Sequence, residues 1–114
     1  MNMNMLWIYG GIIMANYVLV HGGKSDGHVW SQSQVVPLLQ EHGHHVFCPT
    51  LSDPENSNLS DHISEVCSLI ENEHINNIIL VGHSYAAMVI TGVADRMPEK
   101  IDRLIYVDSV VILN

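Results

Sequence analysis

The chain has 114 residues, enough for one domain with a core and too few for two. Hydrophobic residues make up 47% and charged ones only 14%, which excludes a disordered chain, and a formal net charge of −8 sets the molecule against the phosphates of nucleic acid. The two cysteines, Cys48 and Cys67, have no metal-ligand spacing and read as reduced core residues, which points to a cytoplasmic setting. Residues 1–15 are apolar and methionine-rich, broken by Gly10-Gly11. They lack the cationic start of a signal peptide, and the apolar run is too short to span a membrane. Met14-Ala15-Asn16-Tyr17 makes a natural opening, so residues 1–16 are read as an N-terminal extension and residues 17–114 as the domain.

A first strand is expected over residues 17–20, followed by His21-Gly22-Gly23 and a polar loop to Gly27. Small residues after a strand leave backbone N–H groups able to face an anion, so this loop is either half of an oxyanion hole or simply a tight turn. Val29, Trp30, Val35, Val36, Leu38 and Leu39 give a helical apolar face, with Pro37 starting or kinking the helix and Gly43 ending it. Residues 45–49 read as a short strand, after which Pro54, Asn56 and Ser57 rule out regular structure. Leu59, Ile63, Val66, Cys67, Ile70 and His74 fall on one stripe of helical period, with Asn58 as N-cap and Asp61 in the first turn.

The stretch Ile78-Ile79-Leu80-Val81-Gly82-His83-Ser84-Tyr85-Ala86 carries the chemistry. A β-branched apolar run reads as a buried parallel strand, and it runs into a Gly-x-Ser-x-small turn that opens a helix over residues 87–97. A serine hydroxyl is a poor nucleophile unless held clear of the fold, and a strained strand-to-helix turn does this while aiming a helix N-terminus at the reacting centre. Ser84 is therefore the candidate nucleophile, with Gly82, His83 and Ala86 completing the elbow; the extra methyl of Ala86, where glycine is usual, is expected to crowd the turn. Apolar residues on more than one side of the following helix require something to cover it. A last strand spans residues 101–107, with Asp108 at its carboxyl end and an apolar tail over residues 110–113.

Four strands alternating with three helices call for a three-layer α/β/α fold with a parallel sheet of about four strands and right-handed crossovers. The carboxyl ends of the strands then bring His21-Gly22-Gly23, Gly82 to Tyr85 and Asp108 to one edge.

With these landmarks in order, together with Leu19-Val20-His21-Gly22, Trp30, Pro37-Leu38-Leu39, Gly43-His44, Pro49, Met88, Gly92, Pro98 and Ile101, the chain resembles the N-terminal half of an α/β-hydrolase. The nearest branch holds plant hydroxynitrile lyases, plant methyl esterases and bacterial esterase-like relatives. The resemblance implies a strand order of second, first, third, fourth, and an oxyanion hole from the backbone N–H groups of Gly23 and Tyr85. Family domains are about twice this length, and the second half supplies the cap, the usual acid and the catalytic histidine. The resemblance thus implies a truncated hydrolase core.

None of the histidines in hand is well suited to replace that base. His83 neighbours Ser84 on a strand, where adjacent side chains face opposite ways. His21 reads as structural, His28 is the least implausible substitute, and His62 and His74 read as ordinary helix residues. His42, His44 and His45 suggest a metal at first sight, but the family has Gly-His there without one, so neither metal nor cofactor is expected. Asp108 is the candidate acid, since some relatives of the fold place theirs after this strand. Two readings follow. One is a serine esterase acting on a small ester-like molecule, with weak or no turnover alone. The other is a non-catalytic protein that persists as a homodimer through an open sheet edge and an uncovered sheet face, with no nucleic-acid or membrane partner.

Overall fold

The computed structural model describes residues 14–108. Its elements run β1 (Asn16–Val20), α1 (His28–Ser31), α2 (Val35–Glu41), β2 (His45–Phe47), α3 (Leu59–Asn72), β3 (Ile78–His83), α4 (Ala86–Arg96) and β4 (Ile101–Val107). The strands form one four-stranded parallel sheet in the order β2-β1-β3-β4, as the resemblance implies. Val18 lies between Phe47 and Leu80, and Leu80 between Val18 and Leu104, so the apolar residues of successive strands stand in rows. Val20 pairs with Gly82 and His83 with Val107, which brings the carboxyl ends of β1, β3 and β4 to one edge.

Burial on both faces explains why β1 and β3 read as continuous apolar runs rather than alternating ones. Val18, Val20, Ile78 and Leu80 face Val66 and Ile70 of α3 and Val89, Ile90 and Val93 of α4 in a single cluster, while Leu19 and Val81 are buried on the other face. Each such side chain contributes about 1.5–3 kcal/mol when taken out of water. The apolar residues on more than one side of α4 are explained in part because the helix packs against both the sheet and α3, which buries Val89, Ile90 and Val93, while Met88 stays 53% exposed. A Cβ at Gly92 would sit 2.3 Å from Ile63 Cδ1, so α3 and α4 meet where that residue has no side chain.

Helix α3 begins as expected. Asn58 Oδ1 accepts from the Asp61 N–H at 3.0 Å, and Asp61 Oδ2 accepts from the Asn58 N–H at 2.8 Å, a reciprocal capping box. Other boundaries differ. The apolar stretch after Gly27 is two short helices, because Ser33 Oγ donates to Trp30 O at 2.6 Å and accepts from the Val35 N–H at 3.2 Å, closing one helix and opening the next. Pro37 is the third residue of α2, in a first turn that needs no N–H from it, so it starts the helix rather than kinking it. Strand β2 stops at Phe47, short of residue 49. His74 leaves the α3 stripe altogether: the helix ends at Asn72, and His74 has φ 54° in the turn beyond.

Cys48 and Cys67 are free thiols, and burial pushes both above the usual thiol range. Among the described residues no helix is long and apolar enough to cross a membrane. Gly10-Gly11 and the tail over residues 110–113 lie outside the described residues.

Candidate active site

Strand β3 ends at His83 and α4 starts at Ala86, leaving only Ser84 and Tyr85 to reverse the chain. Ser84 takes φ 57°, a left-handed conformation that costs a non-glycine residue on the order of 1–3 kcal/mol. Packing around the turn holds it there. The Ser84 N–H donates to Val107 O at 3.2 Å, its carbonyl accepts from the Ala87 N–H at 3.0 Å, and the Tyr85 carbonyl accepts from the Met88 N–H at 3.1 Å. Ser84 is exposed at the carboxyl edge of the sheet with the start of α4 directly behind it.

Small residues on either side make the turn possible. A Cβ on Gly82 would lie 2.8 Å from Ala86 O and 3.0 Å from Ile90 Cδ1, so strand and helix touch backbone to backbone. Ala86, the residue expected to crowd the turn, is fully buried within the core.

The loop after β1 passes directly over the elbow. A Cβ on Gly22 would stand 3.5 Å from Ser84 Cβ, and one on Gly23 would stand 3.4 Å from Tyr85 Cβ. His21 fixes this loop from below. Its Nδ1 lies 2.7 Å from Gly22 O, which can only accept, so Nδ1 carries the hydrogen; Nε2 accepts from the Leu51 N–H at 2.9 Å. The ring is buried, with both nitrogens committed to backbone groups, as a structural histidine requires.

His62, which the sequence presents as an ordinary helix residue, is also buried, and it meets the elbow. Ser52 O accepts from its Nε2–H at 2.9 Å, with Ser57 Oγ at the same distance from that nitrogen, and Nδ1 accepts from the Tyr85 hydroxyl at 2.8 Å. The two rings meet edge to face, 5.7 Å between centroids. Burial, and after it the nearby Glu65 carboxylate, push the Tyr85 phenol above its usual range, so its proton is retained and donated. Beside these groups lies a cavity of about 250 Å³ walled by Gly22, Gly23, Leu51, Ser57, His62 and Tyr85. Nothing in the local sequence marks His62, since a histidine on the apolar stripe of a helix looks the same whether or not a hydroxyl faces it.

The remaining histidines lie elsewhere. His83 Nε2 is 3.9 Å from Asp108 Oδ2, and its Nδ1 borders the Gly22 backbone, so its ring runs across the top of β3 between the two neighbouring strand ends. Asp108, 89% exposed, is thereby brought to His83. His28 is exposed, and its backbone N–H and Nδ1 both meet Asp26 Oδ1. His42 Nδ1 lies 2.8 Å from Leu38 O, and His44 Nδ1 accepts from the Ala15 N–H at 3.0 Å, so two members of that histidine cluster are spent on separate backbone groups. Burial and then His42 hold His44 below the usual histidine range. His42, His44, His45 and His74 precede β2 and β3 or begin β2, which puts them at the amino edge of the sheet, opposite Ser84.

Comparison with known proteins bears on the fold and family. A carbendazim hydrolyzing esterase of Nocardioides is 44% identical over 86% of this chain and 43% of its own length. Among solved structures, an extracellular alpha/beta-hydrolase from a Paenibacillus species superposes with a TM-score of 0.80 at 25% identity, over 88% of this chain and 43% of that one. A pyrethroid hydrolase from Sphingobium faniae gives a TM-score of 0.72 at 26% identity, over 86% and 41%. The chain therefore spans less than half the length of these relatives. The model of the alpha/beta hydrolase family matches residues 17–113, and to that family this chain belongs.

Proposed function

We propose that the chain carries the nucleophile half of a serine esterase, with Ser84 attacking the carbonyl of a small ester-like substrate and the backbone N–H groups of Gly23 and Tyr85 receiving the oxyanion. The observation that supports this most directly is the left-handed Ser84 at a strand-to-helix turn, with Gly22 and Gly23 passing so near that a Cβ on them would touch Ser84 and Tyr85. Such a turn would present the hydroxyl, and in this reading the two N–H groups serve as the donors where charge develops. The base that takes the Ser84 proton is proposed to be a histidine supplied from outside this sequence, whose eight histidines all lie within residues 14–108. Support comes from the histidines in hand, which are committed to backbone or side-chain groups of their own or sit at the opposite edge of the sheet. Asp108 could serve as the acid only through an imidazole placed between it and Ser84, a position His83 does not take, because it runs along the strand top instead.

A fluorophosphonate probe tests the reading, because it reacts with activated serines. The expected result is covalent labelling of the chain that Ser84→Ala abolishes. Labelling that survives Ser84→Ala, or no labelling at all, overturns it. Without its base such a site can keep about 10³- to 10⁴-fold catalysis over water, so slow labelling is enough.

A second reading, a non-catalytic self-associating protein, is favoured by the apolar residues left in solvent on α1, α2 and β4: Val29 is 51% exposed, Leu38 53% and Ile105 38%.

A further inference from the structure

Two buried histidines grip adjacent residues of the same loop, and each belongs to a different half of the site. His21, in the loop over the elbow, holds Leu51 through its N–H, and His62 of α3 holds Ser52 through its carbonyl. Glu65, one turn along α3 from His62, accepts from both the Ser52 N–H and the Ser52 hydroxyl, so this segment is fastened to the helix at three atoms. The other nitrogen of His62 takes the Tyr85 hydroxyl, and the base of the Tyr85 side chain faces Gly23, leaving room between them for no more than a methyl group. These neighbours form a ring: Gly23, Tyr85, His62, Ser52, Leu51, His21 and back to Gly22.

From this ring we infer that His62 is a positioning residue for the oxyanion hole, acting through the Tyr85 phenol to set the distance between the Tyr85 and Gly23 backbone N–H groups. The inference rests on the proposed role of Ser84. Tyr85 is a wedge held at both ends. Its Cβ is fixed at the turn and faces Gly23, where a methyl on that glycine would just touch it at 3.4 Å, and its hydroxyl is drawn inward by an acceptor that is itself oriented by Ser52 O. Tautomer and direction are determined by Ser52 O, a pure acceptor, which leaves Nδ1 nothing to do but accept. Releasing the hydroxyl frees the ring to swing toward the cavity of about 250 Å³ beside it, and with the ring goes the spacing of the two donors. A donor misplaced by a fraction of an ångström loses part of the 10²- to 10³-fold that a well-placed one supplies.

The experiment uses Tyr85→Phe, which deletes only the hydroxyl, with His62→Leu, His62→Gln and the Tyr85→Phe/His62→Leu double variant. Two readouts are taken: the rate of Ser84 labelling by a fluorophosphonate, and the backbone amide resonances of positions 23 and 85 by NMR. Tyr85→Phe and His62→Leu should each slow labelling about tenfold, and the double variant should be no slower than the slower single one, because both cut the same link. His62→Gln, whose amide can accept from the phenol and donate to Ser52 O, should recover to within about threefold of the parent. The amides of positions 23 and 85 should both move in Tyr85→Phe. Labelling of Tyr85→Phe within about twofold of the parent, or single effects that multiply in the double variant, overturns the inference. If the parent takes no label, the role of Ser84 falls. The coupling is then judged by NMR alone, and an unmoved position-23 amide in Tyr85→Phe overturns it. If His62→Leu does not fold, Tyr85→Phe carries the decision.

Discussion

Gly82 shows how one atom can decide the geometry of the site. A methyl there would meet Ala86 O at 2.8 Å and Ala86 C at 3.0 Å, both backbone atoms of a helix packed against the sheet and α3. Ile90 Cδ1, at 3.0 Å, can turn aside, but the helix backbone cannot. Gly82→Ala should therefore cost about 1–3 kcal/mol, read as a lower urea midpoint with an unchanged slope, and a loss below about 0.5 kcal/mol would contradict the backbone contact. The elbow was legible for this same reason: the motif is a statement of local sterics, and a Gly-x-Ser-x-Ala string after an apolar run carries its whole requirement within a few residues. His62 was not legible, because its meaning lies in Tyr85, twenty-three residues away, and in Ser52. Hydrogen bonds across such separations leave no periodicity in the chain. The commitment of His21 to the backbone was readable, since the strand-His-Gly-Gly string already places that ring under its own loop.

At the scale of elements, what the sequence made plain was the alternation of strands and helices and the start of α3; what it obscured was where short elements break. Asn58 and Asp61 announce a helix start through side chains that cap within four residues, and the structure contains both bonds. Removing the cap strips the Asp61 N–H of its acceptor and unties the loop that leads into α3 from residues 52–57. Asn58→Ala should thus destabilise the protein by about 1 kcal/mol, while Asn58→Asp or Asn58→Ser should stay within a few tenths of the parent. Thermal unfolding monitored by circular dichroism distinguishes these, and equal midpoints for Asn58→Ala and Asn58→Ser would remove the capping box from the account. The split of the apolar stretch after Gly27 into α1 and α2 could not be seen by the same means. Ser33 divides it by two short bonds to Trp30 O and the Val35 N–H, whereas the apolar spacing runs on across the break. The spacing that placed His74 on the α3 stripe failed likewise, for periodicity continues to the eye after the backbone has turned at φ 54°.

For the molecule as a whole, the sheet order β2-β1-β3-β4 leaves β4 at one edge, seven residues long, with no strand beyond it among the described residues. Helices α3 and α4 cover one face; on the other, α2 packs on β2, and Ile105, which stands in register with Val81 on that face, remains 38% exposed. Leu38 and Val29, at 53% and 51% exposure, extend the apolar character onto the helices. A parallel edge strand with no further strand beside it among the described residues, next to an apolar face, favours association, at roughly 25 cal/mol for each Å² removed from water, and a stable interface needs about 800 Å² from each partner. A second copy of the chain presents the same surface, so the proposed self-association is a symmetric pairing of two copies. The expected outcome is a dimeric mass by size-exclusion chromatography with light scattering at about 10 μM, shifting toward monomer in Ile105→Lys, which sets a charge on the uncovered face. A monomeric mass for the parent at that concentration would refute self-association. Dimerisation that Ile105→Lys leaves intact would place the contact on another surface.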